Sequence, residues 1–356
     1  MSDFKAQLAP VADLAALGAE WRAFEAKADG SFFQSWTWTG CLADARFSDP
    51  CLLRVTQAGR VVALGLFNRR RNLWGRAEFR LGESGDPGWD AVFIEENGLL
   101  LAREVAAQRD EVIAAGLAAF GGARVILSGV DEAHLRAAGR RGSAREIRPA
   151  PFIDLVGEVP PPSGAPSGGF LAGCSANTRQ QLRRSARSYA ARGAISLRRA
   201  ATVAEAHACL DALATLHQQS WTKRGKPGAF ANPRFRQFHR ELIARGHPRG
   251  EIDLLCLSAG EEVFAYLYQF LWRGQVASYQ SGFDFAGARR HEKPGLTAHH
   301  LAIEHYAAKG ARCYDFLAGA ARYKKSLANN ERIMYWITLD RWGLRRWTRC
   351  LRRARL

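Results

Sequence analysis

The chain switches repeatedly between helical and alternating spacing of its apolar residues, and the switches outline its elements. Val11 to Lys27 is amphipathic at helical period, and SFFQSWTWTGCLADARF reads as a second helix. The runs CLLRVTQAG and RVVALGLFNRRR then flank Gln57-Ala58-Gly59, the pattern of two strands joined by a tight glycine turn. NLWGRAEFRLGESGDPGWDAVFI adds one strand and a glycine-rich loop. A long helix is expected from about Leu99 to Phe120, then strand ARVILSGV, helix DEAHLRAAGRR and a strand near Arg145 to Leu155.

After GEVPPPSGAPSGGFLAG, whose proline, glycine and serine mark a connector, a similar order returns. Ser175 is placed to cap a strongly basic helix reaching Arg192. Strand ISLRRA, helix VAEAHACLDALATLHQQSW and helix NPRFRQFHRELIARG follow, the last capped by Asn232 ahead of Pro233. EIDLLCLSAG and EEVFAYLYQFLW form a hairpin around Ala259-Gly260. A strand from Val276 to Phe285 runs into a basic loop, Gly287 to Lys293. Pro294-Gly295 opens a helix that Lys309-Gly310 closes. A strand from Ala311 to Leu317, the turn Ala318-Gly319, a helical turn at Tyr323-Lys324-Lys325 and a strand reaching Asp340 complete the pattern. Both halves thus share one order of elements. The expected domains are 1–156, a connector at 157–174, a second domain at 175–340 and a basic amphipathic tail at 341–356.

Composition narrows the partners. At 356 residues the chain exceeds one comfortable core, and 47% hydrophobic with 24% charged residues is a globular balance. A net charge of +17 favours an anionic partner, although an arginine-rich background contributes to it. The seven cysteines are scattered without a CxxC pair, which reads as reduced thiols in a cytoplasmic protein. The N-terminal stretch lacks the pattern of a signal peptide, and no run of about 18 apolar residues occurs. In the tail, seven arginines alternate with Trp342, Leu344, Trp347 and Leu351. That fits peripheral contact with an anionic membrane face as well as a solvated terminal helix.

Familiar chemical motifs are missing. No G-x-G-x-x-G joins a strand to a helix, and there is no Walker loop and no G-x-S-x-G elbow. His291-Glu292 begins like a zincin motif, but Gly295 stands where the second histidine belongs. His299 and His300 are neighbours whose side chains diverge, so the histidines read as helix-surface residues and no metal is expected. The helix start at 293–297 remains. Pro294 has no N–H to lose, Gly295 lets a ligand approach the backbone, and Arg289, Arg290 and Lys293 add positive charge. The N–H groups around Gly295, Leu296 and Thr297 would face an anion; an ordinary proline-initiated helix behind a solvated basic loop has the same sequence.

Several stretches together carry a family resemblance: SANTRQQLRRSARSYAARG, LHQQSWTKRGKPGAFANPRFRQFHREL, YQSGFDF, KPGLTAHHLAIEHYAAKG and YDFLAGAARYKKSLA. The C-terminal half, from Ser175 to about Ala328, resembles the GNAT acyltransferases of the cellulose-biosynthesis CelD type, relatives of the FemAB aminoacyltransferases. FFQSW and PFIDL are weaker echoes in the first half. The resemblance implies an α/β (α+β) fold of tandem GNAT-like, FemAB-like domains, each a mixed, mostly antiparallel sheet flanked by helices. It implies an acyl-CoA co-substrate, acetyl-CoA first among them, with its pyrophosphate on the helix start. This sequence departs from the family at three places: Lys293 for the usual Ser before Pro-Gly, Ala320 for an acidic residue after the turn glycine, and Glu292 at the Gln/Arg signature position.

Acyl transfer needs a deprotonated nucleophile, a polarised thioester carbonyl and a proton for the leaving thiolate. In that reading Tyr323 supplies the proton and Lys324 binds phosphate or acceptor. Asp315 orients a base or acceptor, or else ties down the Gly319 turn. Tyr279, Gln280 and Asp284 belong to the strand before the helix, where alternation puts Tyr279 and Gln280 on opposite faces. Trp221 and Arg224 suit acceptor recognition, although Trp221 also suits a core. The acceptor implied by resemblance is a small molecule or saccharide, amine or hydroxyl, in exopolysaccharide or envelope metabolism. Two other readings stay open: a FemAB-like transferase using aminoacyl-tRNA, and a non-catalytic module binding anionic polymer or lipid through Arg179 to Arg187 and the tail.

Overall fold

Strand pairing, more than helix propensity, decides where the first half bends. In the computed structural model, residues 3–71, 75–156, 169–319 and 321–340 are described. The chain divides into two units, residues 1–148 with 333–356 and residues 149–332. The expected tail, most of the connector and Ala320 lie outside the described residues.

In unit 1, β1 (Phe4–Pro10) precedes α1 (Leu14–Glu25), β2 (Ala28–Asp29) and α2 (Trp36–Arg46). Then come β3 (Pro50–Gln57), β4 (Arg60–Arg71), β5 (Ala77–Leu81), β6 (Leu100–Ala102), α3 (Arg109–Ala118), β7 (Arg124–Val130) and α4 (Glu132–Ala138). β8 (Gly142–Asp154) leads into unit 2. β1, β3, β4 and β5 pair antiparallel in that order, and β7 lies parallel beside β5. Asp13 caps α1 by accepting the Ala15 and Ala16 N–H groups at 2.8 and 3.0 Å.

One strand that the pattern reading did not assign appears here, and one expected helix fails, each for a physical reason. Phe4–Pro10 is a strand, because Phe4, Ala6 and Leu8 alternate and find partners along β3. The long helix from Leu99 does not form. Leu100 and Leu101 pair with Leu64 and Ala63 of β4, a 3₁₀ segment spans Arg103–Gln108, and the α-helix begins only at Arg109. Tertiary pairing overrides the helical period.

Unit 2 continues with α5 (Gly169–Gly173), α6 (Ala176–Ala190), β9 (Ile195–Arg199), α7 (Val203–Thr222) and α8 (Pro233–Gly246). β10 (Ile252–Ala259), β11 (Glu262–Trp272), β12 (Gln275–Phe283), α9 (Pro294–Ala307), β13 (Cys313–Asp315) and α10 (Arg322–Leu327) follow. Ser175 and Asn232 cap α6 and α8 as expected, with Pro233 opening α8. β9, β10, β11 and β12 pair antiparallel, and β13 lies parallel beside β12. The two units therefore repeat one topology: a strand, two helices, three antiparallel strands, a helix, a parallel strand and a short helix. The closing strands are exchanged along the chain. β8, which follows α4, completes the sheet of unit 2 beside β13, whereas β14 (Asn330–Leu339), which follows α10, completes that of unit 1 beside β7.

Helices cover both faces of the unit 2 sheet. Tyr189 of α6 and Ala298, Ala302 and Tyr306 of α9 join Leu255, Leu267 and Val276 in one buried cluster. On the opposite face, His239 of α8 meets Tyr268 and Tyr279. Gly282 is what lets α7 approach β12: a Cβ there would lie 2.5 Å from the Leu213 carbonyl oxygen. Gly282→Ala should lower unfolding stability by about 1–3 kcal/mol through overpacking. Urea denaturation measures it, and an unchanged midpoint would contradict this packing.

Candidate active site

The first turn of α9 can be accounted for one N–H at a time. Lys293, the N-cap, donates its N–H to Ser185 Oγ of α6 at 2.9 Å. Pro294 has no N–H. Thr297 already bonds back to the Lys293 carbonyl at 2.9 Å. Gly295 and Leu296 remain, and neither donates a hydrogen bond among the described residues. A serine at 293 could accept the Leu296 N–H from its own side chain; lysine cannot, and no side-chain cap is formed. The departure at Lys293 therefore leaves two donors open at the positive end of a helix dipole. Gly295 has no side chain to cover them, and its absent Cβ would sit 3.2 Å from the Phe283 ring.

The loop before this turn is held by a buried ion pair. Glu292 accepts Arg192 Nε at 2.9 Å, Arg192 Nη2, the Arg289 N–H at 2.6 Å and the Ser188 hydroxyl at 3.3 Å. Arg192 also reaches Glu262 and the Gly287 carbonyl, both at 2.7 Å. Its side chain is 4% exposed and that of Glu292 0%. Burial works to raise the Glu292 carboxyl, but the Arg289 N–H, the Arg192 guanidinium and the Ser188 hydroxyl hold it below its ordinary value. Glu292 thus builds the loop. Asp284 starts that loop, accepting the Ala286 and Gly287 N–H groups at 3.1 and 2.8 Å.

Beneath α9 the sheet opens. β12 and β13 pair only from Gln275–Cys313 to Ala277–Asp315. Beyond, Phe316 and Gly319 donate their N–H groups to the carbonyls of Pro151 and Pro149, while β12 stays with β11 as far as Phe283. One helical turn beyond Gly295, on the same face, His299 stacks on Tyr323 of α10 with ring centroids 5.1 Å apart and planes 11° from parallel. Burial pushes the Tyr323 phenol up to about 12, so it keeps its proton at neutral pH.

His299 is not a helix-surface residue, contrary to expectation: it is 1% exposed. Its Nδ1 lies 3.0 Å from the Tyr314 hydroxyl, which also accepts Gln269 Nε2 at 3.0 Å, while the His299 Nε2 has no hydrogen-bond partner among the described residues. Burial, with help from the Lys324 charge, lowers its pKa to about 3. The α9 face contributes an apolar stripe, so a buried histidine was concealed there.

The remaining predicted residues fall into three places. Arg290 and Lys293 are exposed beside the open N–H groups, and Arg289 is exposed but pairs with Glu262 at 3.3 Å. Lys324 does not reach for a phosphate: its ammonium donates to the carbonyls of Phe316, Leu317 and Ala318 at 2.6, 3.2 and 2.9 Å. Asp315, 2% exposed, accepts the Leu317 N–H and lies 3.1 Å from Arg332, which is the turn-tying arrangement. Tyr279 belongs to the opposite face, against Phe270 and His239 at 4.6 and 4.9 Å. The alternation expected for Tyr279 and Gln280 is broken by a bulge: Tyr268 opposes Gln280 while Gln269 opposes Ser278, so Tyr279 is the extra residue of the bulge. Half-buried Trp221 ends a chain of rings through His217 on this same face, with Arg224 and Lys226 over it at 5.7 and 5.8 Å. Ser185 and Arg192 had escaped sequence reasoning. Ser185 shares its stripe with Thr178, Leu182 and Tyr189, and two aliphatic hydroxyls, Thr178 and Ser185, in the buried stripe of an arginine-rich helix were the available signal.

Residues 176–325 match the family model of an acetyltransferase (GNAT) domain. Unit 2 carries an acyltransferase domain of the GNAT kind. No curated protein sequence matches the chain. Among solved structures, FemX is similar over 90% of this chain and 95% of its own, at 9% identity and a TM-score of 0.58. A conserved protein of unknown function from Bacteroides thetaiotaomicron is similar over 94% and 100%, at 10% identity and 0.55. L-PGS from Bacillus licheniformis is similar over 91% of each chain, at 12% identity and 0.51. These likenesses span both units and concern the fold, a tandem GNAT-like and FemX-like arrangement. The matched segment runs from the start of α6 into α10, so the GNAT domain includes the open turn of α9, the Arg192–Glu292 pair and Tyr323.

Glu292→Gln removes the buried counter-charge of the Arg192 guanidinium, leaving it only the exposed Glu262, and should cost about 3–5 kcal/mol, with faster proteolysis at 284–293. Denaturant titration and limited proteolysis measure both; wild-type behaviour would contradict the brace. His299 is neutral in the folded chain and protonates in the unfolded one below about 6.5. Its contribution is complete above that pH and is lost as pH falls toward 3. His299→Gln should therefore flatten the acid limb of the stability–pH curve, and an unchanged limb would show that another group controls it.

Proposed function

We propose that this protein transfers an acyl group from acyl-CoA, acetyl-CoA first among them, to an amine or hydroxyl of a small-molecule or saccharide acceptor. The observation that carries the reading is the pair of unpaired N–H groups at Gly295 and Leu296, next to exposed Lys293 and Arg290 and inside the GNAT match. Two donors at a helix start suit a phosphate oxygen, and the nearby cations add attraction without occupying the donors. From there the pantetheine would run over Phe283 and the open edge of β12, toward Tyr323.

In the transfer step the acceptor nitrogen or oxygen bonds to the thioester carbonyl carbon, and the carbon–sulfur bond breaks. Tyr323 gives its phenolic proton to the departing thiolate and is restored by the proton the acceptor releases. His299 holds the ring from behind and, being neutral, adds no charge that would pull that proton away early. Asp315 and Lys324 shape the turn on which α10 stands. Of the proposed acceptor contacts, Trp221, Arg224 and Gln280 lie on the α7 and α8 side of the sheet, so the acceptor would enter from that side and meet the thioester where β13 leaves β12, with Asp284 at the far end of β12. Catalysis is assigned to residues 175–340. The finer family reading, a CelD-type enzyme of exopolysaccharide or envelope metabolism working on the cytoplasmic face of a membrane, rests on the sequence resemblance. No helix among the described residues is long and apolar enough to cross a membrane.

Tyr323→Phe should leave acetyl-CoA affinity within about twofold and lower kcat by about 10²–10⁴. Calorimetry with acetyl-CoA and thiol release during an acceptor screen test this. Undiminished turnover in the variant would remove Tyr323 from the chemistry, and no acetyl-CoA binding by the wild type would remove acyl-CoA as the donor.

A further inference from the structure

The basic helix α6 shows two different faces. Thr178, Leu182, Ser185 and Tyr189 are buried, and Ser185 and Ser188 fasten the helix to α9 and its loop. Arg183 and Arg187, two residues either side of Ser185, lie on the opposite, exposed side. Arg184 is exposed one turn before Ser188, on the flank toward the Arg290 carbonyl. α6 contains no acidic residue, and none of these three guanidinium groups meets a carboxylate among the described residues. With exposed Arg290 and Lys293 they form an uncompensated positive surface that begins at the open turn of α9 and continues round the far side of α6.

We propose that this surface docks an acidic carrier protein that presents the acyl group as a phosphopantetheine thioester. The inference rests on the thioester reading above and names the form in which the thioester arrives. A free nucleotide-type donor held at Gly295 and Leu296 would meet Arg290 and Lys293. It would not reach Arg183 and Arg187, which face away across the width of a helix, about 10 Å. A protein partner spans that width, and its phosphopantetheine phosphodiester needs only the two N–H donors found here. A small cluster of cations at the mouth of a site suits a transient, electrostatically steered encounter. A nucleic acid of comparable grip engages about 6–10 phosphates, and Glu262, paired with Arg192 and Arg289, interrupts the positive surface on one side.

The full chain is titrated by calorimetry with acetylated acyl carrier protein, with acetyl-CoA and with unfractionated tRNA, at low and high salt. The wild type should bind the carrier protein, weakening about tenfold or more at high salt. The double variant Arg183→Glu/Arg187→Glu should lose carrier-protein binding at least tenfold while binding acetyl-CoA unchanged, and Arg183→Lys/Arg187→Lys should retain both. Acetyl-CoA binding without carrier-protein binding, or a charge-reversed variant that still binds the carrier, overturns the docking proposal alone. Tighter binding of tRNA than of carrier protein also overturns it. If neither thioester donor binds, the thioester reading falls, and docking falls with it.

Discussion

The buried pairing of Arg192 with Glu292 determines how the chain enters α9. The guanidinium comes from the end of α6, beyond Ala190, and the carboxylate from the residue before Lys293. Together with the Ser185–Lys293 bond, it fixes one helix against the start of another. Desolvating two charges is costly, and such a pair seldom stabilises a fold more than apolar residues would. What it supplies here is position: Glu292 also takes the Arg289 N–H, so the loop turns in one way and delivers Pro294 with its first N–H groups exposed.

From that constraint the rest of unit 2 follows as an accounting of partners. Ser185 satisfies one donor, Pro294 removes another, Thr297 bonds backward, and two are left over. The sheet below supplies room, because β13 leaves β12 after Asp315 and continues along Pro151 and Pro149. Lys324 and Asp315 hold the turn that makes this departure possible. Two of the chain's most chemically suggestive charges therefore serve the backbone, while the reactive candidate, Tyr323, is a neutral phenol against a neutral histidine.

Much of the architecture was legible because local signals agreed with the fold. The hairpins at Gln57-Ala58-Gly59 and Ala259-Gly260, the caps Ser175 and Asn232, and the Pro294 helix start each lie where turn and cap chemistry puts them. The Leu99–Phe120 segment misled because its leucines serve β4 before the helix begins, a non-local preference that no window reveals. At the site, the sequence carried the helix start and Tyr323. It did not carry what each charge touches: Lys324 and Arg290 look alike in sequence, yet one is filled by three carbonyls and the other faces solvent. The bulge at Tyr279 was equally hidden, since one extra residue reverses every facing assignment behind it.

The central claim is that the backbone donors of Gly295 and Leu296 receive a phosphate of the acyl donor. Amide resonances followed by NMR during titration with acetyl-CoA test it directly. The account predicts saturable downfield shifts of the Gly295 and Leu296 N–H signals, larger than those of Thr297, whose N–H is already bonded within the helix. Binding that leaves those two signals in place, with the largest shifts elsewhere, would contradict it.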